Sequence, residues 1–291
     1  MANNVRTIIT LENFPIYRAG CYGNKRASTP GLDEFSLKCT LFDRAYTLSC
    51  DGLATLATLW DSFGAQVPSF CRGKNIFVTD DEGIGTPKWF NDAYFASPTD
   101  FFSESRPLGD EASGEASDEA FLWAHFHVWT LDELDQWLQL PGVQDSILAI
   151  LGVSGETPAE VDTLLYHAEV QLPWWIRFSK KKFEATRCHS LVSPEDFRLI
   201  LEKQDPDAQF RSHVRIEDAP RWAIATDEWF LTGLDETPEE AHPGTLGGTY
   251  SDTLDEARWM ELYHKPHDWW EQNDVRSRCA DVVEELLSLR R

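Results

Sequence analysis

The sequence predicts an α+β protein with mixed or antiparallel sheets, several capped helices and a helical C-terminus. Two patterns support this fold class: alternating apolar residues, typical of strands, and apolar residues three or four apart, typical of helices. Strand and helix patterns do not alternate regularly along the chain, as they would in a protein built from βαβ units. With 291 residues, of which 42% are hydrophobic, the chain can form a substantial core.

The N-terminal part is predicted to contain several strands and one clear helix. The predicted strands cover residues 5–10, 34–50 and 75–78, the second as a hairpin that turns at Asp43 and Arg44. Residues 51–63 carry apolar side chains at helical spacing after Asp51, whose carboxylate can cap the first turn. Residues 87–102 are rich in aromatic side chains and fit either type of element.

Residues 121–129 form the clearest predicted strand, because apolar or aromatic side chains occupy both alternating faces, as in a central strand. Capping sequences predict helices that begin at 130–133, 157–160, 193–196 and 253–256. Further strands are predicted at 174–179, 183–187, 214–216 and 222–225, and a last helix at 275–289.

A short acidic segment, residues 109–120, interrupts these patterns. It consists of small and acidic residues without apolar periodicity, and it cannot bury enough surface to order itself. We therefore predict an exposed loop or linker at 109–120, between an N-terminal α+β domain at 1–108 and a C-terminal α+β domain at 121–291.

The chain carries 49 Asp and Glu against 26 Lys and Arg, a net charge of −23. This charge exceeds what solubility requires, and it opposes direct binding of nucleic acid, which depends on Lys and Arg. It favours a protein partner with a basic surface, including a DNA-binding complex whose groove the acidic surface would enter as a DNA mimic. The charge is uneven, since residues 1–50 have a net charge of about +2 by the same count.

Candidate partner-binding residues come from the acidic segments and from an adjacent tryptophan pair. Aromatic residues are enriched at protein interfaces, and carboxylates steer a basic partner. The candidates are Asp110, Glu111, Glu115, Asp118, Glu119, Asp235, Glu236, Glu239, Glu240, Trp269 and Trp270.

Neither the termini nor the cysteines point to a secreted or membrane protein. The first residues lack the apolar stretch of a signal peptide, and no run of about 18 apolar residues occurs. The six cysteines include no CxxC pair, which favours free thiols in a reducing compartment. We expect a cytoplasmic protein without a membrane partner, and no cofactor, since Rossmann and P-loop sequences are absent.

His125 and His127 are the strongest candidates for a metal site. On a strand, two histidines one residue apart lie on the same face, about 6.6 Å apart, and can chelate an ion. A third ligand would have to come from His189, Cys188 or the group His264, His267 and Asp268. Packed, hydrogen-bonded histidines are the commoner outcome, so the metal site is kept as an alternative.

These observations favour a non-enzymatic interaction protein. A compact, acidic, Trp-rich chain without a catalytic signature is typical of anti-restriction and other anti-defence inhibitors encoded by phages or plasmids. We therefore predict an inhibitor of a nucleic-acid-handling host complex. The alternatives are a metal-dependent hydrolase that uses His125 and His127, and a structural or assembly protein.

Overall fold

The computed structural model describes residues 5–64, 74–103, 120–156, 164–179, 184–235, 259–265, 267–268 and 270–290. Within these residues the chain forms one eight-stranded mixed sheet and one four-stranded antiparallel sheet, with helices against both. This confirms the predicted α+β class and its helical C-terminus. Among the described helices, none is long and apolar enough to cross a membrane.

The large sheet has the strand order β4-β3-β5-β1-β6-β7-β2-β8. Its strands are β1 (Val5–Leu11), β2 (Thr40–Tyr46), β3 (Lys74–Thr79), β4 (Asp92–Phe95), β5 (Ala120–Phe126), β6 (Ile147–Gly152), β7 (Gln171–Ile176) and β8 (Thr186–Cys188). Of these, β7 alone runs opposite to its neighbours, and all other pairs are parallel. The carboxyl ends of β1, β3, β5 and β6 therefore meet at one edge of the sheet.

Helices cover both faces of this sheet, because its central strands are apolar on both sides. Ile8 and Ile9 of β1 belong to opposite core clusters, as the alternation of a strand requires. One face packs against α1 (Pro30–Ser36), α3 (Pro98–Ser103), α4 (Leu131–Leu138) and α5 (Val143–Ser146). The other packs against α2 (Gly52–Asp61) and α7 (Phe197–Lys203), while α6 (His167–Val170) precedes β7.

The small sheet has the order β12-β11-β10-β9. Its strands are β9 (His213–Asp218), β10 (Arg221–Thr226), β11 (Trp229–Leu234) and β12 (Met260–His264). One face shares an apolar cluster with Tyr46 and Val170 of the region around the large sheet. The other packs against the C-terminal helix α8 (Ala280–Arg290), whose Arg290 guanidinium lies 4.3 Å from the ring centre of Trp222.

Strands from both sides of the predicted linker pair within one sheet. β5 begins at Ala120 and lies between β3 and β1, both of which precede the acidic segment in the chain. Residues 109–119 lie outside the described part of the chain, as do the helix starts predicted at 157–160 and 253–256.

The predicted hairpin over 34–50 is wrong. Pro30 opens helix α1, and β2 is a single strand whose register shifts between Phe42 and Ala45. Asp43 and Arg44 therefore occupy an irregularity inside a strand instead of a turn, a distinction that residue preference alone cannot make. Residues 87–102, which fitted either type of element, contain both β4 and α3.

The contact between α1 and α4 depends on a glycine. A Cβ atom at Gly31 would overlap the backbone carbonyl oxygen of Asp135, whose carboxylate accepts a hydrogen bond from the Leu32 amide at 2.9 Å. We expect Gly31→Ala to destabilise the fold by about 1–3 kcal/mol, because two backbones would be forced apart. Urea unfolding monitored by tryptophan fluorescence measures this loss.

Gly85→Ala is the matched control, since a Cβ atom there meets nothing within 4 Å. Equal unfolding midpoints for the two variants would contradict the close contact of α1 with α4.

Candidate active site

The carboxyl edge of the large sheet gathers polar side chains from several strands. Glu12 follows β1, Asp80 follows β3, His127 follows β5 and Ser154 lies just beyond β6. Open sheets of parallel strands commonly bind their ligands at this edge, where the loops after the strands converge. These residues form the candidate active site.

The buried carboxylate of Glu12 bridges the two histidines of β5. Its Oε1 lies 3.2 Å from Nε2 of His125, and its Oε2 lies 2.9 Å from Nδ1 of His127. It also lies against the first turn of α2, where a Cβ atom at Gly52 would come within 2.5 Å of its Cδ. Only glycine leaves room for the carboxylate at the N-terminus of this ten-residue helix, whose dipole favours a negative charge there.

The environment keeps Glu12 ionised and His127 protonated over a wider range of pH than usual. Burial raises the pKa of Glu12, but hydrogen bonds from His125 and His127 outweigh it, so the pKa lies below its ordinary 4.5. The hydrogen bond to Glu12 raises the pKa of His127 above its ordinary 6.5, and the charges of Glu12, Asp80 and Asp81 act in the same direction. The two side chains form an ion pair when His127 is protonated.

His127 is the accessible member of this group. Its side chain is 57% exposed, and its Nε2 has no hydrogen-bond partner within the described part of the chain. Asp80 fixes the backbone that carries it, because the two Asp80 oxygens accept from the amides of His127 and Val128, each at 2.9 Å. One ring nitrogen is thus held by a carboxylate while the other is open to a ligand.

Hydrogen bonds to Ser154 connect the loop after β1 to the end of β6. Its Oγ accepts a hydrogen bond from the amide of Asn13 at 2.9 Å, and its carbonyl oxygen accepts from the amide of Phe14 at 2.8 Å. The indole of Trp129 donates to the Glu12 carbonyl oxygen at 2.7 Å. These bonds hold the Glu12 backbone from both sides, so the position of the carboxylate is set by three strands.

The His125–His127 pair does not fit a metal ion as it is placed. His125 is fully buried, with Nε2 directed at Glu12 and Nδ1 3.1 Å from the hydroxyl of Thr10, so neither nitrogen is available to an ion. In the ranges that the structure describes, no group of three or more His, Cys, Asp or Glu side chains is placed to hold a metal. His125 instead positions Glu12.

Of the predicted partner-binding residues, the structure describes Asp235 and Trp270. The guanidinium of Arg290 holds Asp235 by two hydrogen bonds of 2.6 Å and lowers its pKa. Trp270 is 61% exposed and lies beside Tyr17 and His167. Lying outside the described residues are Asp110, Glu111, Glu115, Asp118, Glu119, Glu236, Glu239, Glu240 and Trp269.

Sequence reasoning did not single out Glu12 or Asp80 as site residues. Each is an acidic residue at the end of an apolar strand, a signal present in the sequence but shared with many other carboxylates of this acidic chain. It becomes specific only when the parallel order of β3, β5 and β1 brings the strand ends together.

No family model and no curated protein matches the sequence. The structure, however, is similar to several solved structures. A 2-O GAG sulfatase superposes with a TM-score of 0.62 at 10% identity, covering 98% of this chain and 90% of that chain. A protein solved in complex with its substrate D-glucosamine-2-N,6-O-disulfate gives a TM-score of 0.60 at 9% identity, covering 98% and 96%. A protein of the alkaline phosphatase superfamily from Vibrio parahaemolyticus gives 0.56 at 10% identity, covering 87% and 84%.

At these identities the likeness establishes the fold, which this chain shares with sulfatases and a member of the alkaline phosphatase superfamily. The prediction of a non-enzymatic inhibitor, anti-defence protein or DNA mimic is wrong, because the solved structures whose fold this chain shares include sulfatases and a member of the alkaline phosphatase superfamily. Net charge reports on solubility and association, and it carries no information about fold. A partner with a basic surface stays a prediction.

Replacing Glu12 should bring the pKa of His127 back toward that of an ordinary histidine. We expect Glu12→Gln to lower the pKa of His127 toward 6.5, because its main hydrogen-bonding anion is removed. Proton NMR of the imidazole across pH 5–9 (roughly the range in which histidines titrate) measures this pKa. The exposed carboxylate Asp145 supplies a control variant, Asp145→Asn, which should leave the titration unchanged.

The same pair makes stability depend on pH. The raised pKa of His127 contributes stability below 6.5 that is lost as pH rises through the raised value. The lowered pKa of Glu12 contributes stability above 4.5 that is lost as pH falls through the lowered value.

In the NMR titration, a His127 pKa that is equal in wild type and Glu12→Gln would refute the ion pair.

Proposed function

We propose that this chain is a hydrolase that cleaves a sulfate ester of a saccharide at the Glu12–His127 pair. The shared fold supports the reaction class, since one structural neighbour is a 2-O GAG sulfatase. The substrate class is supported by a second neighbour, whose substrate is a disulfated glucosamine. The position follows from the sheet, because the pair lies at the carboxyl edge where such sheets bind ligands.

The observation that carries the proposal is the geometry of His127. A buried carboxylate holds Nδ1, which fixes the ring orientation and favours the protonated form, while Nε2 has no described partner. A carboxylate that orients an imidazole is a recurring arrangement for proton transfer in hydrolases. His127 is thus the candidate catalytic residue, and Glu12 is a positioning residue.

The imidazolium of His127 would supply a proton to the leaving group. As the bond between sulfur and the ester oxygen breaks, Nε2 transfers its proton to that oxygen and the alcohol leaves. The water that adds to sulfur loses a proton, and this proton returns His127 to its charged form. The products are the alcohol and inorganic sulfate, and the enzyme ends unchanged.

A second candidate is binding of the same ligand without hydrolysis. One observation favours it: Asp80 and Asp81 add negative charge beside His127, which opposes the approach of a sulfate group to Nε2 and so favours binding elsewhere on the chain over cleavage at this pair. Measurement of turnover separates the two candidates.

Substitution of His127 should remove activity if the chain is a hydrolase. We expect His127→Ala to lower kcat/KM for release of sulfate from D-glucosamine-2-N,6-O-disulfate by about 10²–10⁴-fold, the usual contribution of a general acid or base. His213→Ala on β9 of the small sheet is the control and should retain full activity.

The pH profile tests the role of Glu12. Activity that needs protonated His127 falls at high pH, and Glu12→Gln should move this fall to lower pH because it lowers the pKa of His127. Turnover that survives His127→Ala would overturn the proposal. Tight binding of a sulfated saccharide by a wild-type chain with no turnover would establish the second candidate instead.

A further inference from the structure

A large cavity of about 1130 Å³ lies beside the β2 irregularity, and its lining includes neither Glu12 nor His127. Residues of the loop after β1, of β2, of β8 and the residue after it, and of the segment after β12 line it. Its basic lining residues are Lys25, Arg26, Arg44, Arg187 and His189, against the single carboxylate of Asp43. We call this cavity the basic pocket.

The charge of the basic pocket is opposite to that of the whole chain. Four Lys and Arg side chains face one Asp here, whereas the protein carries a net charge of −23. Solubility does not explain this local concentration of positive charge in an acidic protein. A soluble surface does not require its cations to gather in a concave site. Concave positive sites concentrate anionic ligands.

Three basic side chains of the basic pocket are held in place by acidic partners. Asp43, which lies inside the β2 irregularity, accepts from Arg187 and lies 2.9 Å from Nδ1 of His189. Arg187 also donates to the carbonyl oxygen of Cys21, and Arg44 pairs with Asp227 at 3.0 Å. These contacts order the side chains before a ligand arrives, which lowers the entropic cost of binding.

Lys25 and Arg26 differ from these anchored cations. Both are exposed, and neither has an ion-pair partner among the described residues. They follow Tyr22, whose hydroxyl donates to the Trp174 carbonyl oxygen at 2.9 Å and accepts from its amide at 3.1 Å. The loop is therefore fixed to the sheet just before its two unpaired charges.

Aromatic side chains line the same pocket. Trp270 is 61% exposed, and its ring centre lies 6.4 Å from that of Tyr17. An exposed indole beside cations suits a ligand with an apolar ring face and an anionic substituent, because aliphatic C–H groups pack on aromatic faces. A saccharide with an acidic ester group has both features, whereas a free inorganic ion has only one.

We propose that the basic pocket binds a saccharide through a sulfate or phosphate group, with the sugar ring against Trp270 and Tyr17. Lys25 and Arg26 contact the oxyanion, and Arg187 completes its neutralisation with planar donors suited to such groups. The pocket thus acts as a second binding site that holds an anionic saccharide on the same molecule as the Glu12–His127 pair. The inference takes its ligand class from the proposed function, but it requires no turnover.

Titration calorimetry on the full chain tests the proposal, with D-glucosamine-2-N,6-O-disulfate as the probe and the His127→Ala background to prevent hydrolysis. We expect the double variant Lys25→Ala/Arg26→Ala to weaken binding by about tenfold or more, since charge-assisted hydrogen bonds are lost. Lys203→Ala/Arg215→Ala removes the same total charge from exposed positions outside the pocket and should bind as before.

Further arms identify which part of the ligand is recognised. Glucosamine without sulfate should bind at least about tenfold more weakly than the disulfate. Trp270→Ala should weaken binding of the disulfate, and Trp270→Phe should retain most of it because the aromatic face remains. Glucosamine 6-phosphate identifies phosphate as the recognised group if it binds more tightly than the disulfate, and sulfate if it binds more weakly.

Equal losses in the pocket and control double variants would overturn the proposal, because attraction would then be general. Equal affinity for glucosamine and its disulfate, or full binding by both Trp270 variants, would also overturn it. Turnover that survives His127→Ala, or no turnover by the wild-type chain, with binding retained here would refute the proposed hydrolysis at the Glu12–His127 pair and leave the basic pocket in place, so the two failures are distinguishable.

Discussion

The carboxylate of Glu12 is the interaction on which the carboxyl edge of the large sheet depends. It is buried at the end of β1, beneath the N-terminus of α2, and it can remain ionised there only because two imidazoles donate to it. A carboxylate left without these partners would carry the full cost of desolvation. The close approach of α2 at Gly52, the burial of His125 and the orientation of His127 all follow from satisfying this one charge.

The same constraint divides the two histidines of β5 into different roles. His125 gives both ring nitrogens to protein partners, Glu12 and Thr10, and is wholly buried. His127, one pleat further, reaches the other oxygen of the same carboxylate from a mostly exposed position. One imidazole thereby becomes part of the core, and the other retains a nitrogen for chemistry.

Charged side chains form two regions of opposite sign in the described part of the chain. Acidic groups surround His127 at the carboxyl edge, whereas the basic pocket concentrates the cations of the N-terminal region and of β8. An anionic ligand is attracted to the pocket and repelled by the edge.

Several parts of this structure follow from sequence pattern alone. The capping box that begins with Thr130 is present as predicted. The Thr130 hydroxyl accepts a hydrogen bond from the Glu133 amide, and the Glu133 carboxylate accepts one from the Thr130 amide. The Asp51 cap of α2 and the two apolar faces of β5 are equally local. Such features are determined by residues close together in the chain, so their physics is visible in a short window of sequence.

Tertiary structure decided the rest, because the remaining features join residues far apart in the chain. The order β3-β5-β1 places strands from both sides of residues 109–119 side by side and brings Asp80 and Glu12 to His127. Asp43 and Arg44 suggested a turn, yet partners on β8 and beyond hold them inside a strand. The sequence by itself determined the α+β composition, the helix caps and the excess of acid. Long-range pairing of strands, which no local pattern encodes, determined which carboxylates are buried, which histidine is exposed and where the cations lie.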